Sequence, residues 1–146
     1  EMKSLLTHHD STLYLVDSLP IKMFVIDAAT PAEGNVLSIA LLNAMPVPDG
    51  DHEPMLNMLA YATSSGTRLV VVPRKRHRPS FFGTEGNDCM MLSPASVDMG
   101  GVFITPRLCD FERFDTGTIR RVIDELCLND QEINSIAEKL LDTHGA

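Results

Sequence analysis

No run of apolar residues in the 146-residue chain approaches the roughly 18–20 needed to span a bilayer. The amino-terminal residues also lack the basic, apolar and small-residue order of a secretory signal. Several catalytic signatures are missing: there is no Walker loop, no GxSxG elbow, no HExxH and no CxxC. Internal repeats and low-complexity tracts are absent too. An excess of positive charge is also lacking. With a net charge of −8, the molecule as a whole has no bulk attraction for nucleic acid. Cysteine is sparse. Cys89, Cys109 and Cys127 form an odd set without metal-site spacing, which reads as reduced thiols in a cytoplasmic protein.

What is present suits one domain of ordinary size. Hydrophobic residues make up 44% and charged residues 22%, near the norm for a globular chain able to bury a core. Residues 1–10 read as a mobile lead-in and residues 11–146 as a single α+β domain. In the lead-in, His8 and His9 would point to opposite faces of an extended backbone, which disfavours joint metal binding. Thr12 to Val16 and Lys22 to Asp27 are strand candidates joined by a short turn, expected to pair antiparallel. Thr30-Pro31-Ala32-Glu33 carries a helix start, with a Thr cap, Pro in first position and Glu three residues after the cap. The broad apolar set Val36, Leu37, Ile39, Ala40, Leu41 and Ala44 predicts a helix well buried against the sheet. Pro46 ends it. The acidic stretch Val47 to Glu53 reads as a solvated loop rather than a metal site.

Met55 to Thr63 and Thr67 to Val72 flank Ser64-Ser65-Gly66 and predict a hairpin. A polar patch, GTEGNDC, follows Phe82, and Val102 to Thr105 reads as a further strand after Gly100-Gly101. Apolar spacing then predicts one helix from near Thr116 or Thr118, with a second opening at Asn129. The order β-β-α-β-β-β-α-α argues an α+β fold, mainly antiparallel, with helices on one face.

Five potential cations crowd the end of the second hairpin strand: Arg74, Lys75, Arg76, His77 and Arg78, bracketed by Pro73 and Pro79. Arginine offers planar bidentate donors to phosphate oxygens and lysine a point charge, and the prolines restrict the backbone that carries them. Alternation along a strand lets only some of these groups meet one ligand. A competing reading is that the cluster merely offsets nearby acids. His77 is the only imidazole beside the cluster, and no orienting partner for catalysis is visible in the sequence.

LNMLAYATSSGTRLVVVPRKR followed by LSPASVDMGGVFITP resembles the second half of the diadenosine tetraphosphate phosphorylase (ATP adenylyltransferase) group. Asn57, Val72-Pro73-Arg74 and Gly100-Gly101-Val102 stand at the matching places, and RKRHRPSFF more specifically resembles an uncharacterised bacterial branch of that group. The group belongs with the galactose-1-phosphate uridylyltransferases and histidine-triad proteins. The resemblance implies antiparallel strands with helical crossovers, and nucleotidyl transfer or phosphorolysis through a nucleotidylated histidine. The motif that supplies that histidine, H-x-H-x-[HQ], is absent here.

The expectation is therefore the C-terminal lobe of a longer nucleotidyltransferase or nucleotide phosphorylase, inert alone, consistent with a first residue, Glu1, that is not an initiator. Arg74, Lys75 and Arg78 would hold phosphates of a nucleoside di- or polyphosphate or a nucleotide sugar, with His77 and Asn57 as second-tier contacts. No catalytic residue, metal ligand or cofactor is assigned to this chain. Its expected partners are the nucleotide and the N-terminal lobe of the same protein, a homodimer being left open, with no nucleic acid and no membrane. The rival readings are a dimerisation or partner-binding module, and a small hydrolase built on His77 or on a metal at His8, His9 or His52.

Overall fold

A computed structural model describes residues 1–85 and 89–144. Five antiparallel strands form one sheet in the order β1-β2-β3-β5-β4: β1 (Lys3–His8), β2 (Ser11–Val16), β3 (Met23–Ala28), β4 (Leu56–Thr63) and β5 (Gly66–Pro73). Helices α1 (Pro31–Ala44) and α5 (Asp130–His144) cover one face, giving the expected α+β architecture. Between β5 and α5 lie a single helical turn, α2 (Ser96–Met99), and the helices α3 (Leu108–Arg113) and α4 (Thr116–Leu126).

The two-residue period of the strands sets the core. Leu13 and Leu15 of β2, Phe24 and Ile26 of β3, and Val71 of β5 all point toward α1 and α5. Leu37, Ala40, Leu41 and Ala44 answer from α1, and Ile133, Ile136, Ala137 and Leu140 from α5, both at helical spacing. Each fully buried Leu, Ile, Val or Phe among them contributes about 1.5–3 kcal/mol, the alanines less. A second cluster gathers at the far end of β5, where Val72 meets Phe81, Met90, Leu92, Met99, Val122 and Leu126.

Local signals place the helices. The Thr30 hydroxyl accepts from the Glu33 amide at 3.3 Å and reaches the Glu33 carboxylate at the same distance, with Pro31 opening the helix. Asn129 and Glu132 exchange the reciprocal pair of a capping box at the start of α5. Asp115 caps α4 by accepting from the Thr118 amide at 2.7 Å.

Four expectations change. Lys3–His8, set aside as a lead-in, form the edge strand β1, because Leu5 and Leu6 pack on the main core and the backbone pairs with β2. His9 adopts a left-handed turn conformation there (φ 50°), so the His8 and His9 rings meet at 4.4 Å instead of pointing apart. Val102 to Thr105 is not a strand: it pairs with none of the five strands and is tied down instead by the Ile104 amide donating to the Asp98 carboxylate at 3.2 Å. Finally, α1 is covered on one side only. Leu37, Ala40, Leu41 and Ala44 are buried, whereas Val36, Ile39 and Leu42 face outward because no layer lies beyond them. Within the GTEGNDC patch, residues 86–88 lie outside the described residues.

Asp110 on α3 has no solvent exposure, and its carboxylate is surrounded by donors. Arg107 donates through Nε (2.7 Å) and Nη2 (2.9 Å), Arg113 through Nη2 (3.0 Å) and the Met91 amide at 2.9 Å. The Arg107 guanidinium, followed by the Met91 amide and Arg113, holds this carboxyl well below the ordinary carboxylate range against the opposing effect of burial. A depressed folded-state pKa contributes stability that is fully present above the unfolded value of about 3.9 and is lost as pH falls through the folded one. Asp110→Asn is therefore expected to lower the thermal midpoint at neutral pH. The gap to the parent protein should narrow steadily once the pH drops below about 4.5. A gap of equal size at pH 7 and pH 3 would show that the carboxylate charge is not what stabilises this turn.

Candidate functional site

The hairpin β4–β5 runs in full register from Leu56↔Pro73 to Thr63↔Gly66 and delivers the basic segment to one end of the sheet. There the chain leaves β5 between two anchors. The Arg74 amide donates to the Met55 carbonyl at 2.8 Å, at the entry to β4. The Lys75 amide donates to Leu126 at 2.8 Å, at the end of α4, where Arg74 and Cys127 form an isolated antiparallel bridge. The segment is thus pinned between strand and helix.

Arg74 itself turns inward, with only 6% of its surface exposed. Its Nη1 donates to the Asn57 side-chain oxygen and, at 2.8 Å, to the Pro94 carbonyl. Its Nη2 donates to the carbonyls of Arg76 (3.0 Å) and His77 (3.1 Å). All four acceptors are neutral oxygens, and the buried Nε has no hydrogen-bond partner. Burial pushes the guanidinium below its ordinary pKa, with Cys127 and Asp98 acting in the other direction. Arginine nevertheless keeps its charge in proteins. The arrangement is a fork that staples the 76–77 backbone to β4 and to the loop before α2. It positions the cluster rather than presenting its own donors outward.

The remaining candidates diverge. Lys75 pairs with Glu132 of α5 at 3.0 Å. Arg78 lies exposed, its guanidinium 4.5 Å over the Phe82 ring. Arg76 is exposed as well. His77 lines a cavity of about 600 Å³ between α1, the β4–β5 hairpin and the loop before β4. Of the five residues singled out in the sequence, the fold brings Asn57, Arg74 and the backbone of His77 into direct contact, and sends Lys75 and Arg78 to separate neighbours.

Sequence reasoning missed the cavity. Its walls include Ser38 and Leu42 from α1, Met58 from β4 and Asp51, His52 and Glu53 from a stretch read as a solvated loop. Asp51, His52 and Glu53 are indeed exposed, yet the loop curls over the end of β4. Pro46, Pro48 and Pro54, which constrain that course, were the one available signal. The Arg107–Asp110–Arg113 cluster, two exposed arginines around a buried carboxylate, was also overlooked, although its three-residue spacing brings the charges together. Among the described residues, no group of three or more His, Cys, Asp or Glu side chains is placed to hold a metal ion, and no helix is long and apolar enough to cross a membrane. The three cysteines are free thiols, and burial raises the pKa of Cys127 despite the nearby charges of Arg74 and Lys75.

Comparison with known proteins adds one positive result. A family model described as GDPGP1-like, C-terminal domain, matches residues 7–146. No curated protein and no solved structure matches the chain. The match spans the whole sheet apart from the first residues of β1, the hairpin with its basic segment, and the closing helices. On this match, together with the antiparallel sheet and its one-sided helices, the chain belongs to the GDPGP1-like C-terminal domain family, a C-terminal domain of the histidine-triad-like phosphorylase kind.

Proposed function

We propose that this chain supplies the phosphate-holding wall of a nucleotide-sugar phosphorylase, with the nucleophilic histidine contributed by an N-terminal lobe of the same protein. The family description points to phosphorolysis of a GDP-hexose of the GDP-D-glucose type. That narrows the earlier resemblance to the diadenosine tetraphosphate phosphorylases and their bacterial branch. The observation that carries the reading is the inward fork of Arg74. A desolvated cation holding the carbonyls of Arg76 and His77 is a costly device, and its effect is to hold the adjacent cationic side chains in a fixed relation to the sheet. Preorganised charge of this kind stabilises negative charge on phosphoryl oxygens without paying for reorganisation during the reaction.

The roles divide accordingly. Arg78 and Lys75 hold phosphate oxygens, His77 contacts the ligand beside the cavity, and Asn57 with Arg74 keeps the segment in place. Titration calorimetry of the 146-residue chain with GDP is expected to show binding that weakens as salt is raised. Arg78→Ala should reduce GDP affinity about tenfold, equal to 1.4 kcal/mol. The side chain is exposed, so this variant should unfold at the same temperature as the parent. Unchanged GDP affinity in both Arg78→Ala and Lys75→Ala would remove the cluster from the site.

One observation favours a second reading. Met58, Leu59 and Tyr61 on the edge strand β4, together with Val36, Ile39 and Leu42 on α1, leave apolar surface uncovered. A dimerisation or partner-binding module would use such a surface. Light scattering across a concentration series tests it, a constant monomeric mass counting against self-association.

A further inference from the structure

We infer that the cavity between α1, the β4–β5 hairpin and the 50–55 loop is a binding site for the uncharged, ring-bearing part of the ligand, a nucleoside rather than a phosphate. The inference builds on the phosphate-wall reading and adds a subsite that the basic segment does not contain.

Size and chemistry both point this way. The volume of about 600 Å³ falls in the range that holds small molecules. Its floor is apolar, made by Leu41, Leu56, Leu69 and Val71 at the outer margin of the main core. Burial of a flat ring against such a floor is favourable in proportion to the apolar area covered. The rim is polar but carries no lysine or arginine. Ser38, Asp51, His52, Glu53 and His77 supply acceptors, a hydroxyl and two imidazoles. Carboxylates at the rim repel a phosphate and accept hydrogen bonds from ring and amino N–H groups, so charge complementarity selects a heterocyclic base with its sugar.

His77 links this cavity to the cationic segment. It is the one member of the basic cluster that lines the cavity, and the Arg74 fork holds its carbonyl at 3.1 Å. Arg76 and Arg78 flank it in the chain and are exposed. A ligand with a flat uncharged end and an anionic end therefore meets apolar floor on one side of His77 and positive charge on the other.

The test uses guanosine and GDP on the 146-residue chain, with Met58→Trp and Leu42→Trp as separate variants that fill the cavity from its exposed margin. Both parent residues are at least 40% exposed, so either replacement should leave the thermal midpoint near that of the parent. Guanosine is expected to bind with an affinity indifferent to salt, and each tryptophan variant should weaken it at least tenfold. Guanosine that fails to bind, or that binds the parent and both tryptophan variants equally, overturns the inference. If GDP binds, responds to Arg78→Ala and is untouched by the tryptophans, the phosphate wall survives and the cavity site does not. If the tryptophans weaken both ligands while neither Arg78→Ala nor Lys75→Ala changes GDP affinity, the cavity site stands and the phosphate wall falls. Self-association that buries Met58 and excludes guanosine also overturns the proposal, making this face a contact between copies.

Discussion

Arg74→Met is expected to lower the stability of the protein by about 3 kcal/mol or more and, with it, nucleotide binding at the neighbouring segment. Two opposing effects decide the sign. Removing a buried cation relieves a desolvation cost of several kcal/mol, which is why apolar replacement of buried ion pairs is sometimes neutral or stabilising. Here, however, the buried Asp98 carboxylate, which favours the guanidinium's charge, stays in place when the cation goes, and among the described residues the guanidinium is in no direct ion pair. It bonds to four neutral oxygens, on Asn57, Pro94, Arg76 and His77. Charge-assisted bonds of this type contribute about 1.5–3 kcal/mol each, and buried acceptors left without donors cost about 1–3 kcal/mol each. Their combined loss outweighs the relief.

At this chain length, such a loss corresponds to a fall of roughly 10 °C in the unfolding midpoint. Arg74→Lys should fare little better, because a single ammonium cannot reach two pairs of acceptors in the geometry of a planar fork. Thermal unfolding monitored by circular dichroism reads the first effect, and GDP titration of whatever remains folded reads the second. A variant that keeps its melting temperature yet loses GDP would make Arg74 a ligand contact rather than a staple.

Gly66→Ala carries a comparably large expected cost through a different mechanism. Gly66 opens β5 at φ +145°, a backbone conformation that side-chain-bearing residues rarely adopt. A Cβ placed there would stand 2.1 Å from the Ala28 carbonyl oxygen, well inside contact distance. That oxygen is main chain on β3, whose end pairs with β5 through Ala28↔Thr67, so relief requires opening the junction between the two strands. Backbone strain alone contributes about 1–3 kcal/mol, and the clash adds to it. The expected total exceeds about 3 kcal/mol, enough to lose the native state in a protein of ordinary marginal stability. Gly50→Ala makes a matched control. Gly50 also has positive φ (+86°), but nothing lies within 4 Å of the added Cβ. Its cost should stay near 1 kcal/mol, the strain component by itself. Equal midpoints for the two variants would show that the approach of Gly66 to Ala28 does not constrain the sheet.

Most secondary structure was legible because short-range physics writes it locally. The alternating apolar residues of β2 and β3, the Thr30 to Glu33 cap and the spacing of Ile133, Ile136, Ala137 and Leu140 each depend on neighbours within a few positions. The errors share one cause. Val102 to Thr105 has strand-forming composition, but composition does not show whether a partner strand lies alongside, and here the segment follows α2 directly and its Ile104 amide goes to the Asp98 carboxylate instead. Residues 3–8 carry no strong strand signal, but Leu5 and Leu6 find a core supplied by α1 and α5. For α1, the broad apolar set indicated a helix well buried against the sheet, and Leu37, Ala40, Leu41 and Ala44 are, while Val36, Ile39 and Leu42 of the same helix stay exposed because no layer lies beyond them.

The candidate site follows the same division. The sequence alone determined that cations crowd the end of β5, that prolines bracket them, and that a hairpin of Met55 to Thr63 and Thr67 to Val72 carries them there. Hydrophobic periodicity and turn chemistry suffice for that, since both act between residues close along the chain. Only the tertiary structure decided which cation turns inward, which ones remain in solvent, and that His77 joins a cavity walled by a loop more than twenty residues earlier. Side-chain direction at the end of a strand is set by what packs above and below it. For Arg74 those neighbours are Asn57 of β4 and the Pro94 carbonyl, groups that only the folded chain brings within reach.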